Sequence, residues 1–191
     1  KSYRHKDLKE IKFHDLWNSH GVFTTMRVIG KPAKILFFKN HIDNLVKSLK
    51  IYKINKKNTK KNILNLIKSN ISNKKKYDHL FRVALNNKVI SISLRKRLKP
   101  KINFTLKLLN YKRIDPKYKN LKYKKILNFL KKLDKSKFDI ALYKDKKILE
   151  TGTSNLLFTK GNKIYSPIKN FYEGTTYKFF SKKLRKIKKK N

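Results

Sequence analysis

Two short segments carry residue types that could do chemistry in this 191-residue chain. The first is Glu150-Thr-Gly-Thr-Ser-Asn-Leu-Leu-Phe158, which begins with one of only three glutamates and joins two predicted strands. The second is Ser166-Pro167, followed by Gly174-Thr175-Thr176 at the predicted start of a helix. Free N–H groups and threonine hydroxyls at a helix N-terminus suit a bound phosphate, and they equally suit an ordinary N-cap. From the residue types alone, both interpretations stay open.

Hydrophobic spacing predicts the elements that must position these segments. Ile42, Leu45, Val46 and Leu49 follow the i, i+3, i+4, i+7 pattern of an amphipathic helix, and Asn86-Asn87 is typical of a tight hairpin turn. In the first half of the chain the predicted elements are the strands Gly21–Val28 and Lys34–Phe38, a helix over His41–Tyr52, a second helix N-capped by Thr59, and the hairpin Phe81–Leu85 with Val89–Leu94.

The basic segment Arg95–Lys101, which contains Pro100, is the predicted linker. The second half is predicted to contain a strand over Ile102–Leu109, a helix over Lys122–Leu133, the hairpins Phe138–Tyr143 with Lys147–Glu150 and Asn155–Thr159 with Lys163–Tyr165, and a helix from about Gly174. Helices mixed with local hairpins favour an α+β fold of two small lobes, 1–98 and 99–191.

Composition excludes several classes of protein. The absence of cysteine excludes disulfides, thiolate zinc sites and a cysteine nucleophile. Four of the five histidines, His5, His14, His20 and His79, lack metal-ligand spacing with acidic partners. No apolar run approaches the ~20 residues that span a bilayer. Hydrophobic residues make up 39% of the chain, which excludes a disordered basic tail. The chain begins with Lys and ends in the basic run Lys182–Asn191, so we expect it to be part of a longer protein whose C-terminal part is truncated here.

The formal net charge of +42 fits a protein that binds nucleic acid. However, only seven of the 53 basic residues are Arg, and the lysines are spread along the whole chain. Lys, Asn and Ile share A/T-rich codons, so we favour genome composition as the cause of the charge. Nucleic-acid binding remains an alternative function.

In their order along the chain, five segments together resemble the class IV aminotransferases, the fold type IV pyridoxal-phosphate enzymes. This family includes branched-chain and D-amino-acid aminotransferases and aminodeoxychorismate lyase. The five segments are Gly21-Val-Phe-Thr-Thr-Met-Arg-Val28, His41-Ile-Asp-Asn-Leu-Val-Lys-Ser48, Lys119-Asn-Leu-Lys-Tyr123, Glu150 to Phe158, and Ser166-Pro167 with Gly174-Thr175-Thr176. The resemblance implies the D-amino-acid aminotransferase-like fold, a homodimer and pyridoxal 5'-phosphate as cofactor.

The resemblance also implies roles for individual residues. Lys122 would form the internal aldimine with the cofactor and then transfer the proton, with Lys119 and Lys125 as close alternatives. Glu150 would face the pyridine nitrogen, and Thr175 and Thr176 would hold the phosphate. The full cofactor-binding set that the resemblance implies is Glu150, Thr153, Asn155, Gly174, Thr175, Thr176 and Asn44, with no metal.

Three departures from the family pattern bear on function. Asn44 stands in place of the family's phosphate-binding Arg, so a member that has lost the cofactor is one alternative. Thr24-Thr25 is more similar to aminodeoxychorismate lyase than to a branched-chain enzyme, which makes the lyase a second alternative. Tyr177 replaces the basic residue that follows Gly-x-Thr. The leading hypothesis is an aminotransferase acting on a small amino acid or a similar molecule, in the cytoplasm and without a membrane or nucleic-acid partner.

Overall fold

Two adjacent nine-residue strands belong to an antiparallel sheet in the first half of the chain. In this computed structural model, which describes residues 1–55, 57–184 and 187–190, the sheet has the strand order β2-β1-β6-β5-β3-β4. Its strands are β1 (Ser2–Arg4), β2 (Glu10–Ile11), β3 (Val22–Gly30), β4 (Lys34–Ile35), β5 (Tyr77–Leu85) and β6 (Val89–Lys96). β5 and β6 form the predicted hairpin, with Leu85 opposite Ile90.

Two helices, α1 (Phe38–Ile51) and α2 (Thr59–Asn70), follow β4 along the chain. α1 contacts β3 through its apolar stripe, in which Ile42, Leu45 and Leu49 are buried. Because side chains alternate along a strand, β3 places Thr24 towards α1 and Phe23 on the opposite face, where Phe23 packs with Ala84 and Leu121.

A parallel pair of strands is the centre of the second half. β7 (Thr105–Asn110) runs parallel to β8 (Phe138–Lys144), which pairs antiparallel with β9 (Lys147–Thr151). α3 (Lys124–Lys131) crosses between the parallel strands, and its buried Ile126 and Leu130 pack on Ile140 and Leu142 of β8. The remaining elements are β10 (Phe158–Lys160), β11 (Lys163–Pro167), α4 (Thr175–Lys183) and β12 (Ile187–Lys190), with β12 parallel to β11.

Contacts between residues divide the chain into two units. A short segment from the second half of the sequence belongs to the first unit. The first unit is Lys1–Arg97 together with Lys119–Lys122, and the second is Leu98–Tyr118 together with Tyr123–Asn191. The assignment of the domains as 1–98 and 99–191 stays a prediction. Of the basic run Lys182–Asn191, residues 185, 186 and 191 lie outside the described part of the chain.

Most predicted elements are present, with differences at their ends. Lys34–Phe38 was expected to be a strand, but only Lys34–Ile35 pairs and α1 already begins at Phe38, since a short apolar run fits either structure. Thr59 was predicted as the N-cap of α2, but the N-cap is Asn58, whose backbone is left-handed with a φ of 56°. The strands β1 and β2 and the return of Lys119–Lys122 to the first unit were not predicted.

Candidate active site

Glu150 lies near the end of β9 and forms a buried ion pair. Its Oε1 is 3.1 Å from Nε of Arg113, and both side chains are only 5–6% exposed. The backbone N–H of Tyr172 donates to the other carboxylate oxygen at 3.3 Å. Arg113 is itself held by the carbonyl oxygens of Pro116 and Tyr118, to which its Nη2 donates. A carboxylate in this position has a fixed direction and a cationic partner.

Two tyrosine rings enclose this ion pair. The guanidinium of Arg113 is 5.6 Å from the ring centroid of Tyr123 and 5.8 Å from that of Tyr172. Burial raises the pKa of Tyr123 to about 12 and also raises the pKa of Tyr172. The Tyr123 hydroxyl therefore stays protonated, and it donates to the carbonyl oxygen of Gly152 in the loop after Glu150. Tyr123 is thus tied to this loop within the second unit.

Asn155 connects this loop to the start of α4. Its Oδ1 accepts a hydrogen bond from the backbone N–H of Gly174 at 3.0 Å, and its Nδ2 donates to the carbonyl oxygen of Tyr172. A Cβ atom on Gly174 would lie 2.8 Å from Asn155 Oδ1, so a larger residue here would displace the Asn155 amide. Glu150, Asn155 and Gly174 are therefore joined in one hydrogen-bonded arrangement within the second unit.

The first turn of α4 has a buried hydroxyl. Gly174 is the N-cap and supplies no side-chain cap. Thr175 is 7% exposed, and among the described residues its Oγ1 has no hydrogen-bond partner. Thr176 is exposed. A helix N-terminus with N–H groups and an unpaired hydroxyl can accept a phosphate.

Lys122 ends the segment that returns to the first unit. Asn120 bridges to Val22, the N–H of Leu121 donates to the Gly21 carbonyl oxygen at 2.9 Å, and Leu121 is fully buried. A Cβ atom on Gly21 would lie 2.4 Å from the Leu85 carbonyl oxygen and 2.6 Å from Leu121 Cδ1. Gly21 is therefore the residue that lets the lysine segment lie against the start of β3.

The three candidate lysines differ in their surroundings. Nζ of Lys119 lies 4.9 Å from the ring centroid of Phe23, and Nζ of Lys125 lies 4.6 Å from that of Tyr111. The side chain of Lys122 is exposed, and its backbone N–H donates to Asn120 Oδ1 at 3.1 Å. Lys119 and Lys125 are thus placed over aromatic rings.

His41 and Asn44 both lie on α1 in the first unit. Nδ1 of His41 and the buried hydroxyl of Thr24 are 2.9 Å apart and share a hydrogen bond. Burial, assisted by the positive charge of Lys119, lowers the pKa of His41 to about 4, so the imidazole is neutral at pH 7. Asn44 is half-buried.

The sequence did not point to two polar residues at this site. Arg113 was one of seven arginines in a lysine-rich chain, and its scarcity was the only signal. Asp139 follows the first residue of β8 and is 5% exposed; its carboxylate accepts hydrogen bonds from Thr151 and Thr153, in the loop after Glu150. The hydroxyl of Thr153 is therefore committed to Asp139.

A family model describes nearly the whole chain. The model for amino-transferase class IV matches residues 21–190. The chain belongs to the class IV aminotransferase family. No curated protein matches it in sequence. Membership in the family agrees with the order of the five segments and with the mixed α and β elements of both units.

Solved structures share the fold of this class IV aminotransferase at low sequence identity. A branched-chain aminotransferase from Thermoproteus uzoniensis, with norvaline, is 14% identical with a TM-score of 0.73, covering 98% of this chain and 76% of the other. A protein from Legionella pneumophila assigned as a 4-amino-4-deoxychorismate lyase is 16% identical with a TM-score of 0.72, covering 97% and 78%. A branched-chain aminotransferase from Thermobaculum terrenum in its PLP form is 14% identical with a TM-score of 0.69, covering 95% and 71%.

In the part of the chain that the structure describes, no three His, Asp or Glu residues come together as metal ligands. Among the same residues, no helix has the length and apolar character needed to cross a bilayer.

Proposed function

We propose that this class IV aminotransferase binds pyridoxal 5'-phosphate and transfers the amino group of a small amino acid. The observation that carries the proposal is the buried pair of Glu150 and Arg113, 3.1 Å apart. Burying a carboxylate is costly unless it is paired, and the neighbouring Arg113 guanidinium favours its charged form, which would suit a protonated pyridine nitrogen as a partner. The PLP form of the Thermobaculum terrenum enzyme supports the same cofactor.

The residues of the second unit fit this cofactor. The buried Thr175 Oγ1, which has no partner among the described residues, and the N-terminus of α4 are donors of the kind that a phosphate accepts. Asn155, by its hydrogen bond to the Gly174 N–H, orients the turn that precedes these donors. The donor set is therefore suited to the phosphate, and the Glu150 carboxylate is suited to the ring nitrogen.

Each residue has a separate task in the proposed reaction. The bound cofactor would supply an electron sink for the substrate carbanion. Lys122 would supply the amine that attaches the cofactor and would then move a proton at its Nζ. Glu150 would hold the ring nitrogen protonated, and Arg113 would keep Glu150 charged and oriented. Lys122 is preferred over Lys119 and Lys125 because the amines of those two lie over aromatic rings.

Lyase activity on aminodeoxychorismate is the second candidate, and Thr25 favours it. Thr25 follows Phe23 on the face of β3 opposite α1, whereas the hydroxyl of Thr24 is bonded to His41. Thr25 therefore lies on the face of β3 against which Leu121, the neighbour of Lys122, packs. An aminotransferase passes the amino group on to a 2-oxo acid, and the lyase does not. Turnover of an amino acid with a 2-oxo acid would therefore indicate the aminotransferase, and turnover of aminodeoxychorismate alone would indicate the lyase.

The partners and location are proposed from the family. We expect a homodimer in the cytoplasm, and light scattering of the purified protein would measure the oligomeric state. Binding to unrelated nucleic acid should be weak and should fall steeply with salt, because only counterion release drives it. A sequence-selective complex at physiological salt would favour the nucleic-acid-binding alternative.

Borohydride reduction followed by peptide mapping tests the cofactor and its lysine together. After incubation with pyridoxal phosphate and reduction, the pyridoxyl label should be on Lys122. The variant Lys122→Arg should lose this label, while Lys125→Arg, the matched control, should keep it. A label on Lys119 or Lys125 would shift the lysine assignment, and the absence of any specific label would favour a member that has lost the cofactor.

A further inference from the structure

A buried carboxylate lies directly beneath the loop that follows Glu150. Asp139 is 5% exposed, and its Oδ2 accepts the hydroxyl protons of Thr151 at 2.8 Å and Thr153 at 2.6 Å. Its Oδ1 accepts the backbone N–H of Ile140 at 2.8 Å. Both carboxylate oxygens are therefore used as acceptors, and two of the three donors belong to the loop.

Asp139 also determines which groups donate and which accept in the next hydrogen bonds of the loop. The Thr151 Oγ1 accepts the backbone N–H groups of Thr153 at 3.1 Å and Ser154 at 2.7 Å. A hydroxyl has one proton and two acceptor sites. With its proton on Asp139, which is nearer than the Ser154 carbonyl oxygen at 3.2 Å, the Thr151 oxygen is free to accept both N–H groups.

The backbone of the loop lies against Asp139 at Gly152. The Gly152 N–H donates to the Ile140 carbonyl oxygen at 2.9 Å, and a Cβ atom at this position would lie 2.8 Å from Asp139 Oδ1. A side chain at this position would displace either the side chains of Asp139 and Ile140 or the loop itself. The loop is therefore held on the strand by backbone and side-chain contacts together.

The two ends of this loop are the residues assigned to the cofactor. Glu150 precedes Thr151, and Asn155 follows Ser154 and orients the N–H of Gly174 at 3.0 Å. We propose that Asp139 is a positioning residue, which sets the directions of the Glu150 carboxylate and of the α4 N-terminus by fixing the loop between Glu150 and Asn155. This inference rests on the proposed function and adds a residue that does not itself contact the cofactor.

Two substitutions interrupt this arrangement in different ways. In Asp139→Asn, an NH₂ group replaces one of the two carboxylate oxygens. If it replaces Oδ2, it faces the hydroxyls of Thr151 and Thr153; if it replaces Oδ1, it faces the N–H of Ile140. Thr153→Val removes one hydroxyl at nearly constant volume on an exposed residue, and Thr153→Ser keeps that hydroxyl as the matched control.

The test measures the affinity of the cofactor-free protein for pyridoxal phosphate and for pyridoxal by equilibrium titration, with urea unfolding of each variant alongside. Both Asp139→Asn and Thr153→Val should weaken both ligands by about tenfold, since a hydrogen bond to a charged group is lost, whereas Thr153→Ser should bind as the wild type does. The loss should be present in protein that is fully folded by circular dichroism, which a purely structural role does not predict.

The outcomes separate this inference from the proposed function. If Thr153→Val and any folded Asp139→Asn bind both ligands as tightly as the wild type, Asp139 does not position the site, and the proposed function stands. Equal weakening by Thr153→Ser and Thr153→Val would also overturn the inference, because the hydroxyl would not be the cause. A wild-type protein that binds neither ligand overturns the proposed function and this inference with it.

Discussion

Removing the guanidinium of Arg113 should destabilise the second unit strongly. In Arg113→Met the charged Glu150 would remain about 5–6% exposed without its 3.1 Å partner. Breaking a buried ion pair from one side typically costs about 3–5 kcal/mol, because an uncompensated charge is left in a medium that solvates it poorly. We expect a loss of that size in the free energy of unfolding.

Arg27→Met in the first unit is the matched control. Arg27 also pairs with a carboxylate at 3.1 Å, that of Asp78, but these two side chains are 41% and 38% exposed. Water screens such a pair, so its loss should cost only about 0.2–1 kcal/mol. The two variants thus compare the same chemistry at the same distance and differ in burial.

Urea unfolding followed by circular dichroism, with a double-mutant cycle, is the assay. Because Glu150→Gln removes the charge that Arg113 compensates, the double variant Arg113→Met with Glu150→Gln should lose less than the sum of the single variants, by about 1–3 kcal/mol. A cost for Arg113→Met no larger than that of Arg27→Met, together with additive single variants, would refute the reasoning.

Four further predictions concern other parts of the site. The pKa of His41 is about 4 in the folded chain and ordinarily 6.5, so the unfolded chain takes up the proton first as the pH falls. The free energy of unfolding should therefore fall by up to about 3 kcal/mol between pH 6.5 and pH 4. Urea unfolding of His41→Asn over the same pH range should lack this component. Gly21→Ala should cost about 1–3 kcal/mol by overpacking and should lower the yield of the Lys122 label; an unchanged unfolding midpoint would contradict the close approach. Asn44→Arg should tighten retention of pyridoxal phosphate in gel filtration by roughly 10- to 150-fold, and Asn44→Gln should not; equal retention would place the phosphate elsewhere. Thr175→Val should leave the cofactor-free protein as stable as the wild type or more stable, since a buried unpaired hydroxyl is removed, while weakening pyridoxal phosphate in a titration; a destabilised protein with unchanged affinity would contradict a phosphate role.

Local patterns in the sequence were sufficient to predict most of the elements. The helical spacing of Ile42, Leu45 and Leu49, and the turn residues between β5 and β6 and between β8 and β9, act over a few neighbouring residues, so they can be read directly. The order of the five segments also identified the family, which the family model over residues 21–190 confirms. The roles assigned to single residues, Lys122 and Glu150 among them, stay predictions.

Contacts between residues distant in sequence were decided only by the tertiary structure. Nothing in the pattern around Arg113 indicated that it pairs with Glu150, or that Asp139 holds Thr151 and Thr153. Charged residues in a lysine-rich chain look alike until packing buries a few of them, and burial is what turns an ordinary ion pair into a strong constraint. The sequence determined which segments this protein is made of, and packing decided which of their polar groups are withdrawn from water and must be paired.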